Sequence, residues 1–394
     1  MTNWRHVPFH TLFHRLQKRT GFPDEELLSV YRDYGVIRKS DRDDNFNRPG
    51  DLSDYQLVER GDLVLNKMKT WQGSLGISQY KGIVSPAYFV YKPVSQNDER
   101  FLHYALRCRD AIDYYGSHST GIRVNQWDLS PEWLDVMPVP LPDLETQRRI
   151  ADHLDKEISE MDAMIEEFEG LISSLESRRG VYLQSKFDPA ITGDASMKMG
   201  TFAQISLGKT FQGEPKEGQN NAFPVNYVRA ANIQPHGQLV LDEQTMYATQ
   251  DEVAKYTLNA GDVVIVEGGA GFGRSLTLQE DLPGWIFQNH VIRMVPRSGW
   301  LGEFLDYTIR AHLYSGYIEL QTVGATIPGL SSERAANLPV AFIPPEEQHK
   351  RVTEAREELS RMDTLIEEST RLIENLKARK TALITEVVTG RKEV

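Results

Sequence analysis

A polar loop at residues 66–76 holds side chains that are suited to contact DNA. Lysine neutralises phosphates, and asparagine or glutamine pairs with an adenine edge in the major groove. The candidate DNA-binding residues of this loop are Asn66, Lys67, Lys69, Trp71, Gln72 and Ser74. A solvated hairpin that uses its glycines for positive φ has a similar composition, so this alternative stays open.

A glycine-rich loop at residues 267–274 occupies the corresponding place later in the chain. Glycine lets a backbone approach DNA closely, and the terminal arginine suits guanine or phosphate. The candidates here are Gly269, Gly271 and Arg274. The spacing does not match G-x-G-x-x-G, and no Gly-Lys-Ser/Thr accompanies it, so nucleotide or methyl-donor binding is not predicted.

Polar residues of three further segments complete the candidate set for DNA binding. They are Arg123, Asn125, Arg229, Asn232, Gln288, Asn289 and His290. Single asparagines and glutamines more often complete turns, which is the alternative for each of them. The histidines and the one cysteine show no metal-ligand spacing, and no set of nucleophile, base and acid can be assembled. The sequence therefore predicts neither a metal site nor catalytic residues.

These loops belong to a unit that occurs twice in the chain. When Gln147 is aligned with Gln348, the helical segments that follow match without a gap at a constant offset of 201 residues. Upstream, 61–65 (Gly-Asp-Leu-Val-Leu) faces 261–265 (Gly-Asp-Val-Val-Ile), and downstream a short Thr-Gly tail recurs at 192–193 and 389–390. Two copies are too few for a solenoid. They indicate a chain that recognises a target with two halves.

Each copy includes a long amphipathic helix, predicted at about 145–179 and about 346–388. Apolar residues recur at intervals of three and four, as in a coiled-coil stripe. The first helix would be about 50 Å long, which requires a partner of similar length. We therefore predict that the helices pack antiparallel, the alternative being that each caps its own domain. The predicted seam residues are Leu154, Ile158, Met161, Ile165, Ile172, Leu175, Leu359, Met362, Ile366, Ile373 and Leu376.

The globular parts are predicted to mix helices and strands. Strands are expected at 63–66, 82–91, 262–266 and 285–295, and helices at 101–115 and 303–320. The fold class is therefore α+β, with two pseudo-repeated globular domains separated by two long helices packed as an antiparallel coiled coil. The predicted domains are 1–142 and 196–343, with the helical spacers at 143–195 and 344–394.

Composition places the chain among cytosolic proteins. It has 394 residues, 40% of them hydrophobic, and one cysteine, Cys108, which cannot form an internal disulfide. No apolar run is long enough for a membrane span, and no signal-like segment precedes the first domain. The net charge is −12, yet 13 acidic and only 6 basic residues fall in 143–195, so the excess lies largely on the first helix. The globular parts remain able to hold DNA.

The segment from Val139 to Asp155, continued by Met161 to Ile165, closely resembles the helical region of the DNA specificity subunit of type I restriction-modification systems. The copy that begins at Ile343-Pro344-Pro345-Glu346-Glu347-Gln348 matches as well. The resemblance covers the whole chain in its order of domain, helix, domain and helix. The second helix departs from the pattern, because Arg351, Ala355 and Ser369 stand where the first has Ile150, Leu154 and Phe168.

The resemblance implies a non-catalytic subunit whose two target-recognition domains each bind one half of a split DNA sequence. The helices would set the spacing and dock two adenine methyltransferase subunits, and the complex would recruit two ATP-driven restriction subunits. S-adenosylmethionine, ATP and Mg²⁺ would belong to those partners, and this chain would bind no cofactor. A stand-alone DNA methyltransferase or nuclease, or a coiled-coil scaffold that does not bind DNA, are the alternatives.

Overall fold

The protein is described by a computed structural model. It covers residues 4–16, 25–32, 34–42, 52–94, 96–123, 126–214, 221–269, 271–321 and 329–394, without the side chains of 122, 123 and 126. The chain forms two compact units. The first unit comprises Met1–Phe168 together with Arg371–Val394, and the second comprises Glu169–Thr370. Both long helices therefore contribute residues to both units.

The first unit has a four-stranded antiparallel sheet at its centre, in the order β2-β9-β6-β7. Short two-stranded pairs, β1-β12, β3-β4, β5-β8 and β10-β11, surround it. Its strands are β1 (His6–Pro8), β2 (Phe13–Leu16), β3 (Leu28–Tyr31), β4 (Gly35–Arg38), β5 (Gln56–Val58), β6 (Leu63–Asn66), β7 (Leu75–Ile77), β8 (Gly82–Val84), β9 (Tyr88–Pro93), β10 (Ser119–Arg123), β11 (Gln126–Leu129) and β12 (Pro138–Pro140). Its short helices are α1 (Glu99–Arg107), α2 (Arg109–His118) and α3 (Pro131–Asp135).

The second unit repeats this plan with the sheet β14-β20-β17-β18 and the pair β13-β21, and adds the sheet β16-β15-β19. Its strands are β13 (Ser196–Lys198), β14 (Ala203–Leu207), β15 (Phe223–Val228), β16 (Thr245–Ala248), β17 (Val263–Val266), β18 (Ser275–Thr277), β19 (Trp285–Phe287), β20 (Val291–Pro296) and β21 (Pro339–Ala341). The helices, including the two long ones α4 and α10, are α4 (Leu144–Phe187), α5 (Pro189–Thr192), α6 (Gln250–Tyr256), α7 (Gly302–Tyr314), α8 (Tyr317–Leu320), α9 (Ser332–Asn337) and α10 (Pro345–Val388).

Strand register confirms the internal repeat. In the first unit Leu63 of β6 faces Tyr91 of β9, and in the second Val263 of β17 faces Met294 of β20. The side chains of β6 and β17 are almost wholly buried, because both faces of these central strands are covered. The predicted α+β class with two long helices is confirmed.

Two predicted strands and two predicted helices are each divided in the structure. Residues 82–91 form β8 and β9, and residues 285–295 form β19 and β20, which belong to different sheets. The polar segments 85–87 and 288–290 interrupt the runs. Helices 101–115 and 303–320 likewise divide into α1 with α2 and α7 with α8. Local composition predicts extended or helical backbone, but it does not specify where the chain changes layer.

Helix α4 continues two turns beyond its predicted end at 179. The additional turns bury Leu183 and Phe187 completely in the core of the second unit. Gly180, in the first of these turns, lies against the Tyr314 ring, which would be 3.0 Å from a Cβ at this position. A glycine inside a helix costs about 1 kcal/mol relative to alanine, and here it allows the helix to approach the domain closely.

In the first unit, the start of α4 packs on the end of α10. Ile150, Leu154 and Ile158 share a buried cluster with Leu383 and Val387. In the second unit, the end of α4 packs on the start of α10, with Lys186 2.9 Å from Glu354 and Arg178 2.8 Å from Glu358. The helix segments are therefore antiparallel within each unit. Of the predicted seam residues, Ile172, Ile366 and Leu376 are half-buried and the other eight are buried.

Equivalent ion pairs join the two long helices in the two units. Lys380 of α10 is 2.7 Å from Asp162 of α4 in the first unit. In the second unit Arg179 of α4 pairs with Asp363 of α10. At the offset of 201 residues, Asp162 of α4 corresponds to Asp363 of α10, and Arg179 of α4 corresponds to Lys380 of α10. The second ion pair is therefore the first with the two helices exchanged, as expected for an isologous contact.

A buried glutamine joins each long helix to its domain. In the first unit the Gln147 Oε1 accepts a hydrogen bond from the Asp98 N–H at 2.9 Å, and its Nε2 donates to the Pro142 carbonyl at 2.9 Å. In the second unit the Gln348 Oε1 accepts from the Leu301 N–H at 3.2 Å, and its Nε2 donates to the Ile343 carbonyl at 3.2 Å. Asp98 and Leu301 are the N-cap residues of α1 and α7. The two copies therefore use the same side chain to fix the start of a helix.

Replacing Gln147 with alanine should destabilise the first unit by about 1–3 kcal/mol, because a buried donor and acceptor lose their partner. Denaturant unfolding measures the change, and hydrogen exchange assigns it to one unit. Arg148→Ala, at an exposed neighbouring position, serves as the control. Equal losses of protection in both units would contradict this local role.

The departures of the second helix from the first are accommodated locally. Arg351 donates to the Asp194 carboxylate at 2.6 Å, to the Lys186 carbonyl at 3.1 Å and to Glu347 at 3.1 Å. The hydrogen bond from Arg351 lowers the pKa of Asp194 below its ordinary value. Ala355 and Ser369 are buried. A charge-assisted link thus replaces the apolar contact that Ile150 makes in the first unit.

In the described part of the chain, no helix is both long and apolar enough to cross a membrane.

Candidate nucleic-acid interface

The predicted polar loops are brought together in pairs, and both units form the same pair. In the first unit the Lys67 N–H, at the end of β6, donates to the Ala87 carbonyl before β9 at 3.1 Å. In the second unit the Glu267 N–H, at the end of β17, donates to the His290 carbonyl before β20 at 3.0 Å. We call the residues around these contacts the first face (Arg15, 66–72, 85–87 and Phe89) and the second face (Arg229, 267–269, 288–290, Gly329 and Ser331).

The first face displays its cations to solvent. Lys67 and Lys69 are exposed, whereas Ser74 is buried and Gln72 half-buried. Asn66 shapes the loop, since its Oδ1 accepts from the Met68 N–H at 3.1 Å. This is an Asx-type turn. It leads into a single 3₁₀ turn at Thr70–Gln72, which ends at Gly73 with φ +89°.

Aromatic rings support the first face. The Arg15 guanidinium is 4.1 Å and the Lys67 ammonium 5.7 Å from the centre of the Phe89 ring. The Trp71 ring packs at 4.7 Å against Trp127. Such cation–π contacts hold a side chain in place without neutralising its charge. The face therefore presents three positive charges, from Arg15, Lys67 and Lys69, and the first two lie over an aromatic ring.

The second face surrounds a cleft of about 610 Å³. Four residues predicted from sequence line it, namely Arg229, Gly269, Gln288 and His290. The cleft is bordered by a backbone bridge between Gly268 and Gly329. Gly269 has φ +85°, a backbone conformation that residues other than glycine rarely adopt, and among the described residues no atom lies within 4 Å of where its Cβ would be. The volume lies in the range of ordinary ligand sites.

Hydrogen bonds of the backbone hold the polar segment at the cleft. The Gln288 N–H donates to the Val228 carbonyl at 2.9 Å, and the Asn289 N–H donates to the Lys209 carbonyl at 2.9 Å. Their side chains are half-exposed. The His290 Nδ1 lies 3.5 Å from the Glu267 carboxylate. Amide and imidazole groups that can donate and accept are thus fixed at the rim.

Asn232 is buried and positions Arg229. Its Oδ1 accepts from the Arg229 N–H at 2.8 Å, and its Nδ2 donates to the Val240 carbonyl at 2.8 Å and to Asp242 at 2.9 Å. Arg229 also pairs with Asp242. This hydrogen bond raises the pKa of Arg229 and lowers that of Asp242. The charge of Arg229 is therefore balanced inside the protein.

Two further predicted residues, Gly271 and Arg274, lie away from the cleft. Arg274 lines a separate cavity of about 160 Å³, together with Arg179 and His236. A Cβ at the position of Gly271 would lie 3.3 Å from the Arg274 side chain. Asn125 lies outside the described residues, and of Arg123 only the backbone, in β10, is described. The structure therefore places Gly271 and Arg274 outside the lining of the cleft, whereas Arg123 and Asn125 stay predictions.

Sequence reasoning did not identify Arg15, Phe89 or Ser331 as part of the faces, nor Trp127 as the ring that supports Trp71. Arg15 is half-buried in β2 between His14 and Leu16, and this local pattern carries no signal that separates it from other charged residues at strand ends. Phe89 and Trp127 are indistinguishable from core aromatics in sequence. In the described ranges no group of three His, Cys, Asp or Glu side chains is placed to hold a metal ion.

Comparisons of structure show the fold of specificity subunits. A chain from a structure on complex assembly and conformational transition of the type I restriction-modification system matches with a TM-score of 0.72 and 15% identity, over 98% of both chains. The HsdS subunit from Thermoanaerobacter tengcongensis matches with a TM-score of 0.55 and 15% identity, over 100% of this chain and 98% of that chain. The sequence matches no family model and no curated protein. The resemblance to specificity subunits is confirmed as a likeness of fold.

Proposed function

We propose that this chain is the sequence-specific DNA-binding subunit of a type I restriction-modification complex. Each domain binds one half of a gapped double-stranded DNA target, and the two long helices set the spacing. The observation that carries the proposal is the duplicated pair of polar loops on a fold similar to that of specificity subunits over its whole length. Two weak half-site contacts joined in one chain give high affinity, because the second contact is intramolecular.

The long helices supply the docking positions for two methyltransferase subunits. Helix α4 exposes Met164 and Leu171, at 47% and 41%, and α10 exposes Leu365 and Leu372, at 46% and 42%. Met164 and Leu365 are 201 residues apart, as are Leu171 and Leu372, so the repeat duplicates the exposed apolar pair. Exposed apolar side chains that recur at equivalent positions of a repeat are candidates for protein contacts, whereas single ones are common on any surface. Their duplication supports two copies of one partner.

The chemistry of the complex belongs to the partner chains. The methyltransferase subunits bind S-adenosylmethionine, and two restriction subunits use ATP and Mg²⁺. This chain acts without a cofactor of its own, in the cytoplasm where its DNA target is found. Its contribution to the reaction is to hold the target adenines in register with the methyltransferases.

The test is to purify the chain with a methyltransferase subunit of the same genome and to map methylated adenines on DNA. We expect a split motif. Inserting four residues into α4 after Glu169, about 6 Å of helix, should change the gap and leave both half-sites unaltered. A substitution at an exposed position in the same region, Glu169→Gln, serves as the control. Altered half-sites would contradict the spacer role.

The alternatives give other results in the same experiment. A stand-alone methyltransferase or nuclease would modify or cut DNA without any partner when supplied with S-adenosylmethionine or Mg²⁺. A scaffold that does not bind DNA would form the complex but leave no protected sequence in a footprint. Either result would exclude the specificity role.

A further inference from the structure

The two faces differ in charge although they are built in the same way. In the described part of the first face, Arg15, Lys67 and Lys69 form no ion pair with a carboxylate. In the second face Arg229 pairs with Asp242, and the buried Lys209 behind Gln288 pairs with Glu252. At the position equivalent to Lys67 stands Glu267, whose N–H makes the same loop-to-loop hydrogen bond. One face is thus cationic and the other is balanced or slightly acidic.

The side chains offered to a ligand differ correspondingly. The first face offers mobile ammonium groups and a guanidinium over an aromatic ring, which suit phosphate oxygens. The second offers a concave cleft lined by the amide group of Gln288 and the imidazole group of His290, with the half-exposed Asn289 between them in the chain. Phosphate contacts supply affinity that depends on salt, whereas amide contacts to base edges supply discrimination and release few counterions.

We propose that the two faces divide the work of DNA binding. The first face anchors the DNA backbone and carries most of the salt-dependent affinity. The second face contributes base discrimination through neutral polar groups and little salt-dependent affinity. This inference rests on the proposed function, and it adds that the two half-sites are bound by physically different means.

The experiment measures the dissociation constant of the complex of this chain with its methyltransferase subunits, for target and unrelated DNA, between about 50 and 200 mM salt. Lys67→Gln with Lys69→Gln should reduce the magnitude of the log–log salt slope by about 2, since each phosphate contact contributes about 0.9. Binding to target and unrelated DNA should weaken equally. Gln288→Ala with His290→Ala should leave the slope unchanged and reduce discrimination about tenfold or more.

An exchange at the equivalent position provides the matched control. Glu267→Lys should steepen the salt slope by about 1 by giving the second face the charge of the first, and Lys67→Glu should flatten it by at least 1. All these side chains lie at least partly in solvent, and thermal unfolding verifies that the variants are folded.

The outcomes separate the two proposals. Suppose that the unmodified complex discriminates the target. If the lysine variants then keep the full salt slope, or the Gln288 and His290 variant loses salt slope, the division of work is wrong and the specificity role stands. If the unmodified complex binds no DNA, both are wrong.

Discussion

Removing residues 371–394 is expected to unfold the first unit while the second stays folded. Leu383, Val387 and Val388 are almost completely buried in the core of the first unit. Burial of each such side chain contributes about 1.5–3 kcal/mol, and a domain is stable by only about 5–15 kcal/mol. The Arg109 N–H would also lose its bond to the Thr385 hydroxyl, now 3.0 Å, and Asp110 would lose Arg391 at 2.5 Å.

Hydrogen exchange measures this result directly. Backbone amides of β6 and α1 should lose protection in the truncated chain, whereas those of β17 and α7 should keep it. Val387→Asp should act in the same direction, because it places a charge in the buried cluster. Glu386→Asp, at the exposed neighbouring position, should have little effect. Full protection of β6 in the truncated chain would show that the first unit folds without α10.

The organisation behind this result was only partly predictable from sequence. The constant offset and the apolar stripe predicted two long helices and a repeat, because periodicity reports which side of a helix is buried. Periodicity does not identify the partner that covers that side. Only the structure shows that Leu383 and Val387 pack with Ile150 and Leu154 in the first unit.

The candidate site was predictable to a similar degree. Loop composition selected Lys67, Gln288 and Arg229, which the structure places on the two faces, while their contact with DNA stays a prediction. It did not separate Asn232, which is buried, from Asn289, which is half-exposed, because both stand in polar loops. Nor did it predict that two loops about twenty residues apart would be joined by one backbone hydrogen bond in each unit. Such contacts are long-range and leave no local signal.

Substitution of the exposed apolar pairs on the long helices is expected to remove methyltransferase subunits one at a time. Met164→Glu with Leu171→Glu should weaken one site by about 3 kcal/mol or more, roughly 100-fold or more, since central apolar residues dominate interfaces. Leu365→Glu with Leu372→Glu should do the same at the other site, and all four changes should abolish assembly. The mass of the complex measures how many subunits remain bound.

Val181 supplies the control, because exposure alone does not distinguish a docking position from an unused one. It is 66% exposed on α4, more than any of the four proposed residues, yet its repeat equivalent is Ala382. A partner that binds twice must use features that occur twice, so Val181→Glu should leave the mass of the complex unchanged. If Val181→Glu removes a subunit and the Met164 and Leu171 changes do not, the docking surface does not follow the repeat, and the two methyltransferases contact the chain in unequal ways.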